Sequence, residues 1–213
     1  MKVGVIDYGV GNLGSVVRAL EELRVTPILV NRPSDLHAND CLILPGVGSF
    51  ADCARILQSQ NWVQSIRDEV IEYERPLLGV CLGMQLLADF SAEGAEADNE
   101  SPSGLGLIPG RVAHLRTLGT TERVPHIGWN SVYSRDKRDS LFSEIPDGTD
   151  FYFVHSYGFI TDAPDDVIAV VKYGIEITAA VRRNHVWGTQ FHPEKSSKAG
   201  FQLLRNFLEA PSC

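Results

Sequence analysis

The sequence predicts an α/β protein built as a three-layer, open, mostly parallel sheet flanked by helices and carrying additional antiparallel strands. Two patterns carry this expectation. In the first half, short and uniformly apolar runs alternate with stretches whose apolar residues recur every three or four positions, the rhythm of parallel strands joined by helical crossovers. In the second half, strand-like segments follow one another closely, which favours antiparallel pairing. Neither an internal repeat nor a linker separates the halves, so residues 1–213 are expected to form one domain.

The elements follow in order. Val3 to Asp7 reads as a strand, and Leu13, Val16, Val17, Leu20 and Leu23 then mark one face of a helix. Pro27 to Val30 and Cys41 to Leu44 are further strands, Trp62 to Glu74 is a helix, and Leu77 to Val80 is a strand running into a helix from Leu82 to Asp89. Runs this apolar suit strands covered on both faces. From Ser91 to Gly104 the chain reads SAEGAEADNESPSG, too acidic and too poor in apolar residues to pack, and a solvated loop is expected. Strands are then expected over Arg111 to Leu115, Ile127 to Tyr133, Phe151 to Phe159, Val167 to Tyr173, Ile177 to Arg183 and Val186 to Phe191, with a closing helix from Lys198 to Leu208.

Composition narrows the function. With 213 residues and 44% hydrophobic content the chain can bury a substantial core. A net charge of −8 with 19 Lys and Arg argues against a nucleic-acid partner, which needs a clustered basic surface. No run of apolar residues is long enough to span a bilayer, and no signal-peptide pattern opens the sequence, so a cytoplasmic protein without membrane association is expected. Cys41, Cys53, Cys81 and Cys213 form no CxxC pair and no zinc-like spacing, so neither a disulfide framework nor a metal site is expected, and no cofactor is called for.

One cysteine stands apart. Gly79-Val-Cys81-Leu-Gly83 has the form of a nucleophile elbow, in which a strand turns sharply into a helix and the apex side chain projects into a cleft. Glycines on either side suit a turn that brings neighbouring backbone too close for a Cβ. A cysteine nucleophile needs a base that can also return a proton, and Phe191-His192-Pro193-Glu194 offers one. In extended chain His192 and Glu194 would share a face, letting the carboxylate hold the imidazole in one tautomer. Acyl chemistry also needs donors for an oxyanion. Leu44-Pro-Gly-Val-Gly48 would supply the N–H of Val47 to act with that of Leu82. A competing motif, Gly9-Val-Gly11-Asn-Leu-Gly14, matches a dinucleotide-binding fingerprint, but the second strand ends Val30-Asn31-Arg32 without the acid expected on a ribose, and a tight turn is the preferred reading.

Gly79, Cys81, Gly83 and Gln85, followed far downstream by His192-Pro-Glu194, resemble the class I (triad) glutamine amidotransferases, whose fold is flavodoxin-like. The stretches IDYGVGNLGSV, LPGVGSF, GLGLIPG, HIGWN and YFVHSY extend the resemblance over essentially the whole chain. They are most similar to the histidine-pathway branch of that family, rather than the pyridoxal, anthranilate or aminodeoxychorismate branches. The resemblance implies hydrolysis of L-glutamine through a cysteine thioester, with Cys81, His192 and Glu194 as the catalytic triad. It implies a substrate grip by Gly48, Gln85, Glu93, Ser156 and Tyr157. It also implies a partner, a (β/α)₈-barrel cyclase forming a heterodimer with this chain and consuming the ammonia, with Asn12, Trp129, Tyr152 and Lys195 near the docking face. Gly158 and the acidic stretch 92–103 depart from the family pattern, and both are expected at the rim of the site.

Overall fold

A computed structural model describes residues 1–94 and 101–210. Its main feature is a nine-stranded sheet with strand order β2-β1-β3-β4-β12-β11-β10-β7-β8. The five strands β1 (Val3–Ile6), β2 (Pro27–Val30), β3 (Cys41–Gly46), β4 (Leu77–Cys81) and β12 (Val186–Thr189) are mutually parallel. Beyond β12 every pairing is antiparallel, through β11 (Ile175–Arg183), β10 (Val167–Tyr173), β7 (His126–Ser134) and β8 (Thr149–His155). A separate three-stranded sheet joins β5 (Phe90–Ser91), β6 (Gly110–His114) and β9 (Tyr157–Thr161).

Alternation along the parallel strands divides the core in two. Val3, Val5, Ile43, Leu78 and Val80 face the side covered by α1 (Leu13–Glu22) and α6 (Ser197–Glu209). Ile6, Leu42, Leu44 and Leu77 face α2 (Phe50–Ser59) and α3 (Trp62–Arg67). Among the described residues the other two α-helices are single turns, α4 (Leu82–Gln85) and α5 (Leu115–Leu118). Among the described residues no helix is long and apolar enough to cross a membrane.

Several expectations need correcting. Helix α2 was not anticipated, although Phe50, Cys53, Ala54 and Leu57 bury one face at helical spacing. The helix expected to Asp89 ends at Gln85, because Asp89 N–H donates instead to the carbonyl of Gly110 and the chain joins the small sheet. The run from Phe151 to Phe159 is two strands in different sheets, broken at Ser156, whose carbonyl accepts from Leu115 N–H. The segment Ser91–Gly104 is not a free loop at its ends: Ser91 is buried in β5, and Gly104 lies so close to the Ala88 carbonyl that a Cβ would fall 2.2 Å from its oxygen. Residues 95–100 of that segment, and Cys213, lie outside the described residues. Gly158 is interior, paired with Ala113 and packed beneath Leu115 and Leu118, not on the rim. The Gly9–Gly14 turn sits beside the end of β3, with Gly11 facing Pro45.

Candidate active site

Strand order brings the chemistry together. In register, Gly46 of β3 lies beside Cys81 at the end of β4, and Val80 lies beside Thr189 at the end of β12. The motifs around Val47, Cys81 and His192 therefore leave adjacent parallel strands at their carboxyl ends, where open α/β sheets form their clefts.

The elbow is built sterically. Cys81 adopts φ 55° and ψ −108°, a conformation that a residue with a Cβ avoids and that only a tightly determined surrounding maintains. A Cβ on Gly79 would fall 2.6 Å from Gly83 O, and one on Gly83 would fall 1.8 Å from Leu44 O. Glycine at both positions lets the turn close against β3.

His192 follows β12 and is held by its backbone: its N–H donates to the Tyr152 carbonyl at 2.9 Å and its carbonyl accepts from Ser196 Oγ at 2.6 Å. Its Nδ1 lies 2.7 Å from Glu194 Oε1. The pairing arises differently from the extended arrangement expected, because Pro193–Lys195 forms a 3₁₀ turn that folds the carboxylate back under the ring. Both side chains are almost wholly withdrawn from solvent, at 3% and 2% exposure.

Burial alone disfavours the imidazolium, and His155 nearby shows that effect, pushed down to about 3. In His192 burial also acts downward, yet the Cys81 thiol and the Glu194 carboxylate beside the ring outweigh it and raise the imidazole to about 9. The ring's Nε2 is buried and has no hydrogen-bond partner. A ring raised to about 9 holds its second proton at neutral pH, so this nitrogen is placed to keep the proton given up by the Cys81 sulfur and to pass it to a leaving group.

Val47, Gly48, Cys81, Leu82, Gln85, Glu93, Ser156, Tyr157 and His192 all line one cavity of about 450 Å³. Gln85 Nε2 donates to the Tyr157 carbonyl and to Gln190 Oε1, each at 3.0 Å. Glu93 has one carboxylate oxygen engaged by Phe50 N–H at 2.9 Å, at the start of α2, and burial raises its pKa. Of the four residues expected near the docking face, Lys195 lines this same cavity and Tyr152 holds His192 through its carbonyl. Trp129 is 54% exposed and meets the Tyr152 ring edge-on at 6.1 Å, and Asn12 is half-buried before α1.

Sequence reasoning did not single out Pro125, Val154 and His155 on the cavity wall, nor Gln190 behind it. Val154 and His155 lie within the YFVHSY stretch, where a histidine amid aromatic residues was a readable signal. The Gln190 amide stands 3.9 Å from Cys81 Sγ, as does the Val154 carbonyl.

Comparisons with known proteins identify the family. The family model described as "Glutamine amidotransferase class-I" matches residues 4–210. A protein of Halalkalibacterium halodurans named "Imidazole glycerol phosphate synthase subunit HisH" is 46% identical over 208 residues, covering 96% of this chain and 94% of its own. "Imidazole glycerol phosphate synthase subunit HisH 1" of Prochlorococcus marinus is 44% identical over 212 residues, covering 98% and 97%. Among solved structures, one titled "Crystal structure of glutamine amidotransferase" shares the fold, with a TM-score of 0.74 at 23% identity and 97% coverage of both chains. Fold, match and relatives converge, and the chain belongs to the class-I glutamine amidotransferase family.

Proposed function

We propose that this protein is the glutamine-hydrolysing subunit of an imidazole glycerol phosphate synthase, acting in histidine biosynthesis. The observation that carries the chemistry is the strained apex cysteine sharing one cavity with a buried His–Glu pair.

The reaction follows from the groups present. Cys81 Sγ, its proton taken by His192 Nε2, attacks the side-chain amide carbon of glutamine. The N–H groups of Val47 and Leu82 hold the oxyanion, where donors fixed in advance stabilise charge most effectively. His192 returns the proton to the amide nitrogen, the C–N bond breaks, and ammonia leaves a glutamyl thioester. Water, deprotonated by the same imidazole, attacks the thioester, releasing glutamate and restoring the thiol. Glu194 keeps Nδ1 protonated and steadies the imidazolium throughout. Gly48, Gln85, Glu93, Ser156 and Tyr157 grip the substrate around the cavity.

Ammonia released into neutral water becomes ammonium, which has no lone pair for attack, so a useful product requires a second active site close by. The partner we propose is a (β/α)₈-barrel cyclase, docked over the cavity mouth. The surface that supports this reading is the outer face of β7 and β8. Register pairs Ile127 with Val154 and Trp129 with Tyr152, and Ile127, Trp129 and Val154 are exposed large apolar residues. Val154 also lines the cavity, so this face continues into the site. Asn12 and Lys195 complete the proposed contact.

The test is glutamine hydrolysis by wild type and Cys81→Ala, each with and without the cyclase subunit and its ribonucleotide ligand. Weak turnover alone, strong stimulation in the complex and none in the variant are expected. Equal turnover by both proteins removes Cys81 as nucleophile.

A further inference from the structure

Two buried histidines that the reaction does not use lie at the substrate cavity, one on its wall and one behind it. His155, on the cavity wall, places Nδ1 2.8 Å from the Tyr157 carbonyl and Nε2 3.0 Å from His126 Nδ1. His126 is 2% exposed, lies off the cavity wall, and is stacked between the rings of Tyr173 at 3.9 Å and Phe153 at 4.7 Å. Its Nε2 lies 3.3 Å from Asn130 Nδ2.

The two ends of this chain dictate every proton in it. At one end a backbone carbonyl can only accept, so His155 Nδ1 carries hydrogen and, in the neutral ring, Nε2 is left as an acceptor. His126 must then donate from Nδ1 and accept at Nε2. At the other end Asn130 is oriented by backbone groups, its Oδ1 accepting from Ser131 N–H at 2.9 Å and its Nδ2 donating to the Lys172 carbonyl at 3.1 Å. That orientation offers His126 the donor it needs. Burial presses in the same direction, holding His126 down to about 4 and His155 to about 3, so both rings are neutral near pH 7.

The Tyr157 carbonyl is where the chain meets the site. It accepts from His155 Nδ1 and also from Gln85 Nε2, which donates in turn to Gln190, whose amide faces Cys81. We propose that the His155–His126 bridge is a positioning device for glutamine, fixing the 156–157 backbone and the Gln85 amide through one doubly accepted carbonyl. The inference rests on the glutaminase reading given above. It assigns His126, which touches no substrate, an effect on substrate binding transmitted through His155.

The experiment compares wild type, His126→Phe and His126→Asn in glutamine hydrolysis, with melting temperatures recorded for each. Phenylalanine keeps the ring stack but leaves His155 Nε2 without a donor. Asparagine's Nδ2 stands near the place of Nδ1 and restores one. KM for glutamine is expected to rise about fivefold in the phenylalanine variant with kcat changed less than about twofold, the scale of one buried hydrogen bond. The asparagine variant is expected to recover most of that loss. An unchanged KM in His126→Phe, or an asparagine variant no better than the phenylalanine one, overturns the proposal. Nitrogen-15 NMR of the imidazoles in the wild-type chain decides it independently of how the variants fold. Nδ1-protonated, neutral rings at both positions support the bridge, whereas an Nε2-protonated or charged ring at either position ends it. Failure of the glutaminase reading is distinguishable, because wild type itself would then show no turnover while the NMR result would still stand.

Discussion

His192 Nδ1 lies 2.7 Å from Glu194 Oε1, whereas Nε2 of the same ring is buried in the Cys81 cavity with no hydrogen-bond partner. One nitrogen is fixed and the other left available, the division of labour required of a ring that must carry a proton in both directions.

Glu194→Gln keeps the shape of this pair and removes its charge. The expected loss in kcat is roughly 10²- to 10⁴-fold with the fold retained, since an orienting carboxylate sets tautomer as well as charge. Stability should respond too. The folded pKa of His192, about 9, stands above the ordinary 6.5, so the stabilisation it contributes is complete below pH 6.5 and is lost as pH rises through about 9. Urea unfolding of wild type across that window should show this decline, and the glutamine variant should flatten it. Parallel slopes for both proteins would contradict the assignment.

The apex of the elbow is strained, and strain is measurable. Cys81→Gly and Cys81→Ala both lack the thiol and should both be inactive. The glycine variant should nevertheless be the more stable by about 1 kcal/mol or more, because it relieves the cost of a positive φ. This reverses the order found for glycine and alanine within ordinary strands or helices. Chemical denaturation of the two variants side by side is the check.

Two glycines near the site separate clash from conformation. A Cβ on Gly83 would meet backbone at 1.8 Å, and Gly83→Ala should cost about 3 kcal/mol or more or prevent folding. Gly48 has open space around its Cβ direction but φ +95°, so Gly48→Ala should cost only about 1–2 kcal/mol. Comparing their melting temperatures tests which constraint dominates at each site.

Trp129→Ala addresses the partner. Trp129 is 54% exposed, so truncation should change the stability of the isolated chain by no more than about 0.5 kcal/mol. As an aromatic anchor it should weaken binding of the cyclase subunit by about tenfold or more, read by calorimetric titration, and reduce stimulation of glutamine hydrolysis accordingly. Full affinity in the variant would move the docking surface elsewhere.

The local chemistry was legible because it is written in a few consecutive residues. Apolar runs marked β1, β3 and β4 to within a residue or two at either end, and the glycines around Cys81 announced an elbow whose crowding the coordinates then quantify. Helix α2 was less legible although its apolar residues recur at helical spacing, because it is only ten residues long and starts straight after a glycine-rich loop with no capping hydrogen bond from the Ser49 side chain. The division of 151–159 between two sheets was not readable at all. Apolar alternation reports that a residue is covered, not which strand covers it.

By itself the sequence determined the parts: apolar strands and amphipathic helices, a cysteine between sterically required glycines, and a histidine with a carboxylate two residues on. Tertiary structure decided their conjunction. Only the pairing of β12 beside β4 brings His192 to Cys81, more than a hundred residues away, and only β8 packed across the cysteine closes the cavity. The direction in which His126, His155 and His192 shift was also settled there. Burial drives His126 and His155 down, while Cys81 and Glu194 together drive His192 up; Glu194 is a local neighbour, but the burial and the approach of Cys81 are set by long-range packing that no local pattern encodes.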